Sequence, residues 1–154
     1  MPPAHAHAVR VQRLERHPDP LQVPRALERP GRFEVDGTWG TVQPLQLAAG
    51  VRTLGERELI AHIEQGLPLV DTRLPHFFEQ GTIPGARNIP HEDVLDRLDE
   101  LDRTQPTAFF CNGPQCTATP SAVRALLGAG YPPAAILYYR GGMHDWVTLG
   151  YPVA

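Results

Sequence analysis

Short apolar segments alternate with segments of helical apolar spacing from Val51 to the C-terminus, and this alternation narrows the choice of fold. The strand patterns cover residues 51–54, 67–71, 86–89, 107–110 and 135–139. The helix patterns cover residues 56–64, the apolar set Val94, Leu95, Leu98 and Leu101, residues 120–129, and a short last helix with Trp146. Short apolar strands separated by helices form parallel sheets that are buried on both faces. The sequence therefore predicts an α/β fold with an open parallel β-sheet flanked by helices.

Two polar residues stand where predicted strands end. Asp71 closes the strand 67–71, and Cys111 follows the strand 107–110 directly. Right-handed crossovers bring the carboxyl ends of parallel strands to one edge of the sheet, and ligands of such sheets bind outside that edge. We therefore expect Asp71 and Cys111 to open into the same crevice.

The segment after Cys111 predicts a reactive thiol. A short loop leads to a helix for which Thr119 is a suitable N-cap and Pro120 a suitable first residue. Loop amides and the helix start would surround the sulfur, favour an anion and acidify the thiol well below its free pKa of about 8.5. A thiolate is a nucleophile, so covalent sulfur chemistry is expected; the alternative is an ordinary buried cysteine at a strand end. The residues predicted to line the substrate site are Asn112, Gly113, Pro114, Gln115, Cys116, Thr117, Ala118 and Thr119.

Cys116 lies in the same loop, and the residues leave its role open. It could resolve an oxidised Cys111, serve as a second loop thiol, or be passive. Two cysteines with four residues between them and no nearby histidine pair lack a credible ligand set, so we expect no metal site.

Composition excludes several function classes. The chain of 154 residues has a formal net charge of −3, which disfavours a nucleic-acid binder that depends on phosphate neutralisation. No apolar run approaches the roughly 20 residues that span a bilayer, and the first residues lack the apolar core of a signal peptide. Two cysteines are too few for a disulfide scaffold, so we expect a reducing, cytoplasmic location.

The N-terminal third differs from the rest. Residues 1–31 are rich in proline and arginine, which predicts either an extended arm, packed on the domain or on a second subunit, or a disordered tail. Residues 32–50 form an extension in which Asp36-Gly37 favours a hairpin turn. Residues 51–154 are the predicted domain. If the protein forms a homo-oligomer, we expect the arm of residues 1–31 to make the contact between subunits.

Four motifs in order make residues 51–153 resemble the rhodanese homology domain of thiosulfate sulfurtransferases. Leu69-Val-Asp-Thr-Arg73 is similar to the family's strand ending in Asp-x-Arg, and Gly81-Thr-Ile-Pro-Gly-Ala86 to its Gly-His-Ile-Pro-Gly-Ala segment. Phe110-Cys111 with its loop resembles the catalytic cysteine loop. Arg140-Gly-Gly-Met-His-Asp-Trp146 resembles the family's Gly-Gly-x-x-x-Trp ending. The chain departs from the family at Thr82, which replaces the usual histidine, and in a loop without lysine or arginine.

The resemblance implies transfer of sulfane sulfur. Catalytic Cys111 would take sulfur from a small anionic donor such as thiosulfate, hold it as a persulfide, and pass it to a thiol or a cyanide-like acceptor, without a metal or an organic cofactor. The supporting residues are Asp71 and Arg73, as a loop-holding ion pair or as substrate contacts, and Arg140, which would face the pocket.

Three other functions are weighed against this one. A thiol–disulfide or redox-sensing protein would use Cys111 with Cys116. A non-catalytic module would bind a partner through its proline-rich arm. Phosphatase or arsenate-reductase chemistry would need an arginine six residues after the cysteine, where this chain has Thr117.

Overall fold

The computed structural model describes residues 42–154 and, upstream of them, residues 25–26, 28 and 33–34. Its strands are β1 (Arg25–Ala26), β2 (Phe33–Glu34), β3 (Arg52–Thr53), β4 (Leu69–Asp71), β5 (Arg87–Asn88), β6 (Thr107–Phe110) and β7 (Ile136–Tyr138). Its α-helices are α1 (Glu56–Glu64), α2 (Pro75–Gln80), α3 (Ala118–Gly128) and α4 (Gly142–Thr148). Short 3-10 helices cover Leu98–Glu100 and Pro133–Ala135.

Five strands form one parallel sheet, in the order β3-β7-β6-β4-β5. This confirms the predicted open parallel α/β fold. β6 lies in the middle, and every residue of Thr107–Phe110 is buried. The chain direction is the same in every strand of the sheet, so β6 and its neighbour β4 deliver Cys111 and Asp71 to one edge.

Each face of the sheet has its own hydrophobic core, because side chains alternate along a strand. Ala108 and Phe110 of β6 pack with residues of α1 and α4, among them Leu59, Met143 and Trp146. Phe109 of β6 packs on the opposite face with Ala122, Val123 and Leu126 of α3. α3 therefore covers one face, while α1 and α4 cover the other.

The predicted helix over 94–101 is wrong. The segment consists of turns that end in the 3-10 helix Leu98–Glu100, and its backbone hydrogen bonds join residues three apart. Val94 is buried, but Leu95 is 48% exposed, so the apolar residues do not share one buried helical stripe. Short tightened turns of this kind are sufficient to bring Val94 against the core.

Helix α2 is absent from the sequence prediction. Pro75 occupies its first turn, where a missing N–H costs nothing, and Phe77 is its buried residue. Six residues are too few for an apolar period to be recognisable.

The N-terminal region is described in part. β1 and β2 pair antiparallel, and Ala26 packs against the core that contains α1 and α4. The hairpin turn predicted at Asp36-Gly37 and most of the arm 1–31 lie outside the described residues, so the division into arm, extension and domain stays a prediction. In the described part of the chain, none of the helices has the length and apolarity needed to cross a bilayer.

Candidate active site

Cys111 lies immediately after the central strand β6, at the start of the loop 112–117 that leads into α3. The side chain is 1% exposed. Its Sγ accepts a hydrogen bond from the backbone N–H of Thr119 at 3.4 Å and lies 3.7 Å from the carbonyl oxygen of Cys116. The sulfur is thus turned inward to the loop.

The two cysteine sulfurs satisfy the first backbone donors of α3. N–H groups in the first helical turn have no acceptor within the helix. Here the N–H of Ala118 donates to Sγ of Cys116, and the N–H of Thr119 donates to Sγ of Cys111. Pro120 has no N–H, and the N–H of Ser121 already bonds to the carbonyl of Thr117. The helix start therefore directs its donors at sulfur.

The prediction of Thr119 as N-cap is wrong. The N-cap residue is Thr117, whose side chain makes no capping bond, and α3 begins at Ala118. The Thr119 hydroxyl instead lies 2.8 Å from the hydroxyl of Thr72, which also donates to the carbonyl of Phe110 at 2.9 Å. Thr72 thus ties the end of β6 to the first turn of α3, a role that its place between Asp71 and Arg73 did not indicate.

Cys116 has the acidified thiol. The pKa of Cys116 is lowered to about 7, mainly because the thiol of Cys111 hydrogen-bonds to its sulfur, with help from the N–H groups of Ala118 and Asn112 and from the charge of Arg73. Burial opposes this effect. A thiolate on Cys116 is therefore accessible near neutral pH.

The prediction that Cys111 itself is acidified is wrong in this arrangement. Burial raises the pKa of Cys111 well above its ordinary value, and the neighbouring Cys116 raises it further. Thr119 opposes these effects through its hydroxyl and its N–H. Two thiols that share a hydrogen bond titrate as a pair, so the first proton is lost by the pair as a unit.

Backbone contacts from α4 fix the start of the loop. The N–H of Met143 donates to the carbonyl of Cys111 at 3.0 Å, and the N–H of His144 donates to the carbonyl of Asn112 at 2.7 Å. Gly142 has a φ of 59° and approaches so closely that an added Cβ would lie 2.4 Å from the carbonyl oxygen of Cys111. A glycine at position 142 is therefore required for this contact.

Asp71 and Arg73 form a buried ion pair beside the site. Arg73 Nη2 lies 2.6 Å from Asp71 Oδ2, and the same nitrogen donates to the carbonyl of Gly81 at 2.7 Å. The hydroxyl of Thr82 donates to Asp71 Oδ2 at 2.9 Å. Of the two roles predicted for these residues, the structure contains the loop-holding ion pair, and Thr82 takes part in it.

The remaining predicted residues surround the two sulfurs at different depths. Asn112 and Gly113 are buried, Pro114 and Gln115 are half-buried, and Thr117 is exposed. Arg140 is half-buried at the end of β7, and its Nη1 donates to the carbonyl of Gln43 at 2.9 Å. No pattern in the sequence pointed to Gln43. Among the described residues, no three histidine, cysteine or acidic side chains are grouped as a metal site would require.

Comparisons with known proteins match the same part of the chain. The family model of the rhodanese-like domain matches residues 56–149. A thiosulfate sulfurtransferase of Pseudomonas syringae is 31% identical over 85 residues, which cover 55% of this chain and 76% of that protein. An HTH-type transcriptional regulator of Mycobacterium tuberculosis is 37% identical over 97 residues, which cover 62% of this chain but 42% of the regulator. The matched segment thus spans less than half of the regulator.

Solved structures share the fold. A rhodanese-related protein of Thermoplasma volcanium superposes with a TM-score of 0.55 at 23% identity, over 67% of this chain and 97% of that chain. A thiosulfate sulfurtransferase of Pseudomonas aeruginosa superposes with a TM-score of 0.57 at 22% identity, over 68% of this chain and 20% of that chain. At these identities the likeness concerns the fold alone.

Proposed function

Because this chain belongs to the rhodanese-like domain family, we propose that it is a sulfurtransferase that moves sulfane sulfur through a persulfide on Cys111. The observation that carries the proposal is the hydrogen bond from the first turn of α3 to Sγ of Cys111 at the carboxyl end of the central strand. N–H groups placed in this way stabilise a sulfur anion. The sulfurtransferase name of the Pseudomonas syringae relative agrees with this chemistry.

The first half-reaction loads the enzyme. The sulfur of Cys111, as thiolate, attacks the outer sulfur of thiosulfate, a new S–S bond forms, and the old S–S bond breaks with its electron pair leaving on sulfite. Cys116 prepares this attack. Its thiolate, available at a pKa of about 7, accepts the proton of the Cys111 thiol through the hydrogen bond that joins them.

The second half-reaction transfers the sulfur from the persulfide on Cys111 to an acceptor. A nucleophile such as cyanide, or a thiolate, attacks the outer sulfur of the persulfide and the S–S bond breaks. With cyanide the product is thiocyanate, and the electron pair returns to Cys111 as thiolate. The N–H of Thr119 is in place to stabilise the negative sulfur in both states. No electron leaves the system, so no oxidant or reductant is required.

Mass spectrometry of the purified protein after incubation with thiosulfate tests the proposal. We expect a gain of one sulfur atom on the peptide that contains Cys111, and its loss, with thiocyanate formed, when cyanide is added. Cys111→Ser removes the nucleophile and should abolish both signals, whereas Cys116→Ser should still form the persulfide. Full activity in Cys111→Ser would show that the assignment is wrong.

The contact between the two thiols favours a second candidate function, reversible disulfide formation. With a peroxide as oxidant, one thiolate would be oxidised to a sulfenic acid, and the other would attack it, form the Cys111–Cys116 disulfide and release water. Both cysteines are free thiols in the structure. Counting free thiols after peroxide treatment tests this second function, because an unchanged count excludes it.

Free thiols suit a reducing compartment, so a cytoplasmic location belongs to the proposal.

A further inference from the structure

One residue from outside the family-matched region contacts the loop of the two cysteines. The backbone N–H of Gln43 donates to the carbonyl of Pro114 at 2.6 Å. Its side-chain Nε2 donates to the carbonyl of Gln115 at 3.3 Å. Gln43 precedes the match to the rhodanese-like domain by 13 residues, since the match begins at residue 56. The extension therefore reaches over the domain to the middle of the loop.

The same residue also holds a cation at the site. The carbonyl of Gln43 accepts the hydrogen bond from Nη1 of Arg140 at 2.9 Å. Arg140 stands between β7 and α4, and β7 pairs directly with β6, so the backbone of Arg140 lies at the same edge of the sheet as Cys111. An arginine is charged at any pH of interest and offers five N–H donors, of which this contact uses one.

The loop itself carries no cation. Residues 112–119 contain neither lysine nor arginine. The charge of Arg73 contributes to the lowered pKa of Cys116, but its guanidinium is bound to Asp71 in a buried ion pair. A dianion such as thiosulfate gains more from a charge-assisted hydrogen bond to a guanidinium than from a hydrogen bond to a neutral amide. Arg140 is a cation that Gln43 connects to this loop.

We propose that Arg140 binds the anionic sulfur donor and that Gln43 is a positioning residue, which clamps the loop and holds Arg140 beside it. The proposal rests on the proposed sulfurtransferase function and names two of its determinants. Gln43 bridges the loop and the guanidinium through three hydrogen bonds, so it fixes their relative position without touching the donor.

A double-mutant cycle on the full chain tests the proposal, with thiosulfate as the donor and cyanide as the acceptor. Arg140→Gln should raise KM for thiosulfate about tenfold, because it removes one charge-assisted contact. Gln43→Ala, which removes one of the three clamp bonds, should raise KM by about threefold. Since Gln43 acts through Arg140, the double variant should match Arg140→Gln within about twofold. Arg140→Lys should restore most of the loss, because the charge remains.

Two matched controls are used. One tests whether the loss of any arginine charge has the same effect as the loss of Arg140, and the other tests whether any change in the extension has the same effect as Gln43→Ala. Arg124→Gln removes an exposed arginine of α3, and Gln46→Ala changes an exposed glutamine of the same extension. Both should leave KM unchanged.

The outcomes are distinguishable. A wild-type protein that gains no sulfur from thiosulfate refutes the sulfurtransferase function and removes the basis of this inference. A wild-type protein that gains sulfur, together with an Arg140→Gln variant of unchanged KM, refutes the inference alone. KM effects of Gln43→Ala and Arg140→Gln that multiply in the double variant would show that Gln43 acts independently of Arg140.

Discussion

The chemistry of the site depends on a proton shared by two sulfurs. Cys111 and Cys116 are both buried, so burial opposes a charge on either sulfur. The Cys111 thiol stabilises a thiolate on Cys116, whereas Cys116 raises the pKa of Cys111. Burial raises the pKa of the Cys111 thiol, whereas the pKa of Cys116 is lowered to about 7. Activity should therefore follow the ionisation of the pair.

The pH profile should reveal this pair. Thiolate is present above the pKa, so kcat/KM for thiosulfate should rise with pH and level off above about 7. In Cys116→Ser the remaining thiol is desolvated without its proton acceptor, so the rise should move to higher pH. Steady-state rates across pH for both proteins measure the shift, and identical profiles would contradict the role given to Cys116.

The ion pair of Asp71 and Arg73 should matter to stability. Arg73→Met leaves the buried Asp71 carboxylate without its cation, which should cost about 3–5 kcal/mol of unfolding free energy. Arg87→Met removes an exposed partner of Glu100 and should cost at most about 1 kcal/mol. Urea denaturation of the two variants compares them, and equal losses would argue against the structural role of the buried pair.

Among the elements, α3 and α4 together shape the loop between them. α3 directs two N–H groups at the sulfurs, and α4 holds the carbonyls of Cys111 and Asn112. The loop is thus fixed from both sides by backbone donors, which no side-chain substitution can remove. Its position depends on how closely α4 can approach.

Gly142→Ala should therefore damage the site. Its Cβ would collide with the backbone of Cys111 and Gly113, and alanine disfavours a φ of 59°. We expect a loss of at least about 2 kcal/mol in stability together with reduced sulfur transfer. Gly128→Ala is the matched control, because nothing lies within 4 Å of its added Cβ and it stands in α3. It should stabilise the protein by up to about 1 kcal/mol, as measured by thermal unfolding.

The molecule as a whole is a sheet buried on both faces, and the central strand leads directly to Cys111. Phe109 lies in β6 against α3, and Phe110 lies in β6 against the opposite core. Packing that holds β6 also holds the start of the loop 112–117, so the core and the candidate site are not independent.

Phe109→Ala should destabilise the whole fold. The buried ring leaves a cavity, and the cost should be about 3–5 kcal/mol. Leu95→Ala removes a half-exposed side chain from the turns before the 3-10 helix and should cost less than about 0.5 kcal/mol. Urea denaturation gives both values, and a small loss for Phe109→Ala would show that β6 is not the centre of the cooperative core.

Local sequence patterns were sufficient for most of the fold. Helix α1 was predicted with its observed bounds because Leu59, Ile60 and Ile63 show the helical period and Gly66 ends it. The segment 94–101 has a similar apolar spacing, but it forms short turns. Its conformation depends on contacts with the core, and the residues of the segment alone do not determine those contacts. The apolar period therefore predicts a helix correctly only where the surrounding packing is compatible with a helix.

The residues alone identified Cys111, Asp71 and the edge of the sheet at which they meet, because the end of a parallel strand is a local signal with a general spatial consequence. The distribution of charge between the two sulfurs was not accessible in this way. It depends on burial and on which N–H reaches which sulfur, and both result from packing of α3 and α4 around the loop. The contact of Gln43 with Pro114 and Arg140 joins residues far apart along the chain, so it exists only once the chain has folded.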